Sequence, residues 1–446
     1  METVIQVTQL ILCLSFLVIL HELGHFLPAK YFKTKIEKFY LFFDPWFSLV
    51  KKKIGDTEYG IGWLPMGGYV KIAGMIDESM DKEQLKQEPQ PWEYRSKPAW
   101  QRLIIILGGV IVNFILAWLI YAIVFSTYGQ KFTSTDKFQE NGLVFSDAAK
   151  MAGFEDGDKI LRVDGTKQAQ FERMVLDVLL GDTVVVERNG KELSIALTDE
   201  KIKAFMNGAR KGGLMSPRDN TITVDSIPAD SHNANSGLKV GDEIVAINQK
   251  KVGYYDEFQK EVKTIKSDSA VITVKRKQSL IDLPVWISDS SRIGFVHNNP
   301  LMYKAKEMLV VNKYNFFEAL PVAAKESWTS LNYQIKQFKL IIRPETEAYK
   351  QVSGPLRLFK VFNPEWDWEH FWKFTAMFSV WLGFINLLPI PGLDGGHAMF
   401  ILIEVVTRRK PTEKTLEIAQ TIGVVILLGL MALVFGNDIW HLIQGT

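Results

Sequence analysis

The chain has 446 residues, with 52 Lys and Arg against 50 Asp and Glu, a net charge of +2 and a mean hydropathy of +0.03. Such a balance gives no electrostatic footing for a nucleic-acid partner. The single cysteine, Cys13, excludes an intrachain disulfide and leaves the compartment unreadable from cysteine usage. The average hydropathy hides a segregation: apolar runs lie near both ends and a polar, charged stretch fills the middle.

The first predicted element is the apolar run Val4 to Leu27, within residues 1–28. It is long enough for a span of about 20 residues. Met1, Glu2 and Thr3 offer no basic n-region and no small-residue cleavage site follows, so the run reads as a retained helix, not a cleaved signal peptide. Its end holds His21-Glu22-Leu23-Gly24-His25, an HExxH pattern. Positions i and i+4 share a helix face, so both imidazoles reach one ion. Zinc suits such nitrogen donors, with one further protein ligand and one position left for water. Glu22 then suits a general base that later protonates a leaving amine. The motif alone is short enough to arise by chance. An ionisable residue inside a span, however, costs about 2.5–3.5 kcal/mol to insert and is functional by default. His21 lies 17 residues beyond Val4. That is roughly 26 Å of helix at about 1.5 Å per residue, inside the membrane and toward its cytoplasmic face.

Residues 29–97 form a basic segment running from Lys30 to Lys97 and containing the glycine-rich stretch Gly60–Lys71. The second span, within 98–128, runs from Leu103 to Phe125 and includes Gly109 and Asn113. A second short basic stretch, Arg408 to Lys414, separates the last two spans. The lysine and arginine bias places both basic segments in the cytoplasm, and both termini and the long middle on the opposite side.

The middle contains a repeat. Ala152-Gly153-Phe154 followed by Gly157-Asp158 corresponds to Ser236-Gly237-Leu238 followed by Gly241-Asp242. Each copy continues as an alternating strand, a helix-like stretch and a β-branched strand such as Thr183–Val186 or Val271–Val274. Both copies resemble PDZ domains of the bacterial protease type, expected at 129–205 and 213–292. Such domains capture extended peptides or C-termini by strand addition. Peptide capture and bulky gating are both open from the residues alone. The connecting segment 300–368 includes Tyr303–Ile342, where apolar and basic residues alternate at helical spacing. This fits either an amphipathic helix at the membrane surface or an ordinary packing helix.

The third span, within 369–400, runs from Trp372 to Ile390 and ends in Asn386-Leu387-Leu388-Pro389-Ile390-Pro391-Gly392-Leu393-Asp394-Gly395-Gly396-His397. Prolines and glycines break a span where backbone lines a polar cavity. Asp394 falls at about the depth of the histidines and is the best candidate for the third ligand. His397 is its rival, and Glu404 lies too far along. The fourth span, within 415–440, runs from Ile418 to Phe435, with Gln420 near its start.

With these motifs together the chain resembles the site-2 protease family of intramembrane zinc metalloproteases, most closely its bacterial sigma-E-regulating branch. The likeness covers nearly the whole length: HExxH, Gly109 with Asn113, the Gly60–Lys71 region, two PDZ-like repeats and Leu393-Asp394-Gly395. Ser353-Gly354-Pro355-Leu356 also resembles a family element. The resemblance implies a polytopic α-helical membrane protein with four transmembrane helices, a membrane-associated β-region and two α+β PDZ domains. It implies zinc held by His21, His25 and Asp394, a catalytic Glu22, and an Asn386 that helps hold the substrate backbone. The family often has another asparagine where this chain has Trp381.

The substrate so implied is a single-pass membrane protein, in this branch an anti-sigma factor already trimmed outside the bacterial inner membrane. Remnant signal peptides are a further class. A helical substrate must unwind before attack, and the strand around Gly62, Gly67 and Gly68 is expected to pair with the unwound segment. The PDZ-like repeats would exclude substrates that still carry a bulky outer domain. A zinc transporter and an inactive PDZ scaffold are the competing classes. The membrane part lacks the internal repeat common in transporters, and the intact HExxH and Asp394 argue against a scaffold.

Overall fold

The computed structural model describes residues 2–75, 88–209, 214–297, 307–352, 354 and 358–444. Most of Ser353-Gly354-Pro355-Leu356 and part of the basic segment, 76–87, therefore lie outside the described residues. The chain divides into two compact units. The first is Met1–Gly129 with Lys313–Lys339 and Lys350–Thr446; the second is Gln130–Asn312 with Leu340–Tyr349.

The first unit is helical around one bent sheet. Its helices are α1 (Glu2–Tyr31), α2 (Ala99–Tyr128), α3 (Phe316–Ile341), α4 (Trp368–Leu387), α5 (Asp394–Thr407) and α6 (Glu413–Gln444). Among the described residues, three helices are long and apolar enough to cross a membrane: α1, α2 and Lys414–Trp440 of α6. The expected third span is helical as α4 but is not among them. Glu369, His370, Lys373 and three tryptophans dilute its apolar character. α2 starts after Pro98, whose missing N–H costs nothing at a helix start, and stops at Gly129, whose φ of +78° few other residues adopt.

Helices α1 and α2 touch backbone to backbone. A Cβ on Gly24 would lie 2.4 Å from the Gly108 carbonyl oxygen, and one on Gly108 would lie 2.0 Å from that of Gly24. Small residues allow this approach between apolar helices. α3 turns the fully buried Ala319 and Ala323 toward the Ile120–Phe125 turns of α2. Its Phe317 and Trp328 stay exposed.

The sheet comprises β1 (Ile36–Ile54) and β2 (Thr57–Ile72), and Gly60–Lys71 lies inside β2. Each strand bends into two arms. Ile36–Leu41 pairs with Gly68–Ile72 on one side and with Glu58–Ile61 on the other, while Ser48–Ile54 pairs with Thr57–Gly62. Phe42 and Trp46, at φ +68° and +73°, mark the bend in β1.

The second unit contains the repeat as two sheets of one topology. β3 (Lys159–Val163), β4 (Thr166–Lys167), β5 (Thr183–Arg188) and β6 (Lys191–Ala196) are ordered β4-β3-β5-β6. β7 (Glu243–Ile247), β8 (Lys250–Lys251), β9 (Asp268–Arg276) and β10 (Ser279–Ile287) are ordered β8-β7-β9-β10. Each has its own apolar core.

The repeat extends to single atoms. Arg188 donates from Nε and Nη2 to Asp158 at 2.8 and 2.7 Å, and from Nη2 to the Gly153 carbonyl at 2.8 Å. Arg276 does the same with Asp242 at 2.7 and 2.7 Å and with the Gly237 carbonyl at 2.8 Å. The buried aspartates also accept the Glu155 and Lys239 amides. The Gly-Asp turns flagged in the sequence thus bury a carboxylate that a distant arginine neutralises.

Candidate metal centre

Two histidines four apart on α1 present their Nε2 atoms to one point, 3.3 Å from each other. Asp394, the first residue of α5, brings Oδ2 to 3.4 Å from His21 Nε2 and 3.3 Å from His25 Nε2. All three residues are largely buried, and Asp394 Oδ2 has no hydrogen-bond partner. A buried acceptor in that position needs a cation or a donor. Donors held about 2.0–2.1 Å from a zinc ion at tetrahedral angles lie roughly 3.3–3.4 Å apart, and the observed triangle has those edges. The residues present therefore fit a zinc ion.

The two imidazoles are held at Nδ1 by groups of α2. His25 Nδ1 lies 2.9 Å from the Ile105 carbonyl oxygen. A carbonyl can only accept, so Nδ1 carries the proton and Nε2 keeps its lone pair for a metal. Asn113 lies 3.0 Å from His21 Nδ1, and Asn386 Nδ2 lies 3.4 Å from His21 Nε2. Gly109 supplies room, because a Cβ there would sit 2.4 Å from His25 Nε2 and 2.6 Å from His21 Cε1. Asp394 is placed by the break after α4: Leu388 ends that helix in extended conformation, and Gly392 turns the chain at φ +99°. A Cβ on Gly395 would strike the Leu387 and Leu388 carbonyls, so the loop folds tightly against the end of α4.

The centre opens into a cavity of about 770 Å³ lined by Glu22, Gly67, Gly68, Asn386, His397 and Gln420, among others. Glu22 is half-buried beside His21. Its Cγ would lie 3.7 Å from a Cβ on Gly68, and Val18 Cγ1 would lie 2.7 Å from that Cβ, so the second arm of β2 runs close along α1. Gly62 does not line the cavity; it packs under the Phe43 carbonyl, 2.1 Å from where a Cβ would stand. Trp381 is 41% exposed and is not among the lining residues either.

Of the sequence candidates, His21, His25, Asp394, Glu22, Asn386, Gly67 and Gly68 come together here. His397 faces the same cavity, one turn beyond Asp394. The reading of the sequence missed the Ile105 carbonyl, which no side-chain pattern reveals. It also passed over Gly24 and Gly108, whose signal was a small residue at matching depth on each of the first two spans.

Residues 9–430 match peptidase family M50. A Vibrio cholerae protein provisionally named a zinc metalloprotease is 28% identical over 97% of this chain and 98% of its own length. The regulator of sigma-E protease RseP of Escherichia coli K12 is 27% identical over 96% and 97%. The regulator of sigma E protease of Haemophilus influenzae is 27% identical over 97% and 98%. With a match that runs through both ends of the His21–Asp394 centre, this chain belongs to peptidase family M50, the site-2 proteases, and is a membrane-embedded zinc metalloprotease.

Proposed function

We propose that His21, His25 and Asp394 are the zinc ligands, and that Glu22 is the general base and acid for hydrolysis of a peptide bond inside a substrate's transmembrane segment. The observation that carries this reading is the 3.3–3.4 Å triangle of donor atoms at the wall of a cavity shared with Glu22 and β2. Bound zinc supplies Lewis acidity, polarising a carbonyl oxygen and lowering the pKa of water to about 7. Glu22 accepts the proton of the attacking water and returns it to the leaving amine. Asn386 and the edge of β2 at Gly67–Gly68 hold the unwound backbone, and Gly62 lets β2 pass close to Phe43.

The substrate in this proposal is a single-pass membrane protein, a pre-trimmed anti-sigma factor or a remnant signal peptide. Two relatives bear the sigma-E regulator name, which supports the first. The enzyme sits in the bacterial inner membrane with α4 as a fourth span, the active site toward the cytoplasm, and both termini periplasmic. The two matching sheets of the second unit are PDZ domains on the periplasmic side, and they act as a size gate or as peptide receptors.

Zinc stoichiometry and cleavage of a single-span substrate in detergent test the assignment. Glu22→Gln is expected to keep one zinc and lose about 10²–10⁴-fold in rate; Asp394→Ala is expected to lose the metal. A Glu22→Gln enzyme as active as wild type would refute the role of Glu22.

A further inference from the structure

We propose that Gln420 is a substrate-binding residue of this cavity, one that hydrogen-bonds a peptide group of the unwound substrate segment; the proposal rests on the protease reading above. Gln420 lies in the part of α6 that is apolar enough to span a membrane. It is 4% exposed and lines the cavity that holds Glu22 and the ligand triangle. Its side chain makes no hydrogen bond with any described residue. A glutamine that merely snorkels would lie at the protein surface with its amide in water, which its burial rules out.

The position is set by a close helix–loop contact. A Cβ on Gly423 would lie 1.5 Å from the Pro391 carbonyl oxygen, so the backbone of α6 rests on the loop that ends at Asp394. Gln420 is three residues earlier, hence on the same helix face and about one turn along. The contact that seats α6 on the ligand-bearing loop also directs Gln420 toward the cavity.

The chemistry points to the ligand. A carboxamide carries two donors and an acceptor, the complement of a peptide group. A helical segment unwound inside a bilayer exposes N–H and C=O groups that no water can satisfy. An extended segment has two hydrogen-bonding edges. If β2 takes one, the other needs polar partners from the helices, and Asn386 on α4 and Gln420 on α6 are polar side chains of those helices that line the cavity. The Gln420 amide bonds no other described residue and faces the cavity, so it is available to a substrate segment that displaces solvent there.

Gln420→Met replaces the amide with an apolar side chain of similar length. For a single-span substrate in detergent, kcat/KM is expected to fall about tenfold, the effect of losing one well-placed hydrogen bond in an apolar site. The affinity of the Glu22→Gln enzyme for the intact substrate should weaken by a similar factor when Gln420→Met is added. Zinc content should match wild type, and the unfolding temperature should hold, because the amide bonds no other described residue. Wild-type kcat/KM in Gln420→Met would overturn the proposal. So would lost zinc or a lowered unfolding temperature, which would assign Gln420 to structure. A zinc-loaded wild type that cleaves no transmembrane substrate would instead sink the protease reading; an active wild type beside an unaltered Gln420→Met sinks only the role of Gln420.

Discussion

A methyl group at position 109 would collide with both imidazoles, and one at position 24 or 108 would force α1 away from α2. The candidate metal centre depends on these absences of side chain as much as on its donor atoms. Gly109→Ala is expected to weaken zinc binding at least about tenfold, in the range seen when groups behind the ligands are disturbed. Competition with a chelator would measure it, and an unchanged affinity would show that the histidines move aside at no cost. Trp381, which stands where the family often has an asparagine, is no obstacle to this geometry, since it lies outside the lining of the cavity.

Among the elements, the two sheets of the second unit show how a repeated short motif acquires a repeated long-range partner. Gly157-Asp158 and Gly241-Asp242 were visible as turns; Arg188 and Arg276 were not, because they sit at different spacings of 30 and 34 residues. Only the fold, by laying β5 against β3 and β9 against β7, brings each guanidinium to its carboxylate.

The second repeat carries a further polar contact without a counterpart in the motif. His297 Nε2 lies 2.8 Å from Asp219, Nδ1 lies 3.0 Å from the Thr223 carbonyl, and the ring packs 4.3 Å from that of Tyr255. Burial pushes this imidazole down, but Asp219, the Thr223 carbonyl and Asp225 outweigh it and hold it above its ordinary 6.5. A raised folded value means stability that is complete below about 6.5 and is lost as pH climbs through the folded value. The unfolding temperature of this repeat is therefore expected to drop across that window in wild type. His297→Gln should flatten the drop; an unchanged slope in that variant would place the dependence elsewhere.

Along the whole chain, Gln130–Asn312 of the second unit is inserted after Gly129 of the first, and the two ends of that insertion pair with each other. Gln130–Thr133 pairs with Leu309–Asn312, from Gln130↔Asn312 to Thr133↔Leu309. This ladder brings the ends of the insertion side by side, so residues 134–308 can be replaced by a short linker without separating the strands that flank them. If the second unit is a size gate, that deletion is expected to let the enzyme cleave substrate that still carries its outer domain. Continued rejection of untrimmed substrate, with trimmed substrate still cut, would remove the gate from the mechanism.

Much of this could be read along the chain because the signals are local. The i, i+4 spacing of His21 and His25 puts two donors on one face whatever the rest of the fold does, and the apolar runs that became α1, α2 and α6 declare themselves by length. Asp394 was within reach of the same reasoning, since a Pro- and Gly-broken helix in a membrane protein must line something polar. Other features are properties of pairs distant in sequence: the Ile105 carbonyl that sets the His25 tautomer, the Gly24–Gly108 contact that brings α2 to the histidines, and the seating of Gly423 on Pro391 that turns Gln420 inward. Contacts between residues 32, 80 or 84 positions apart follow from how helices pack, and packing is decided by the whole set of surfaces at once, which no single stretch of residues contains.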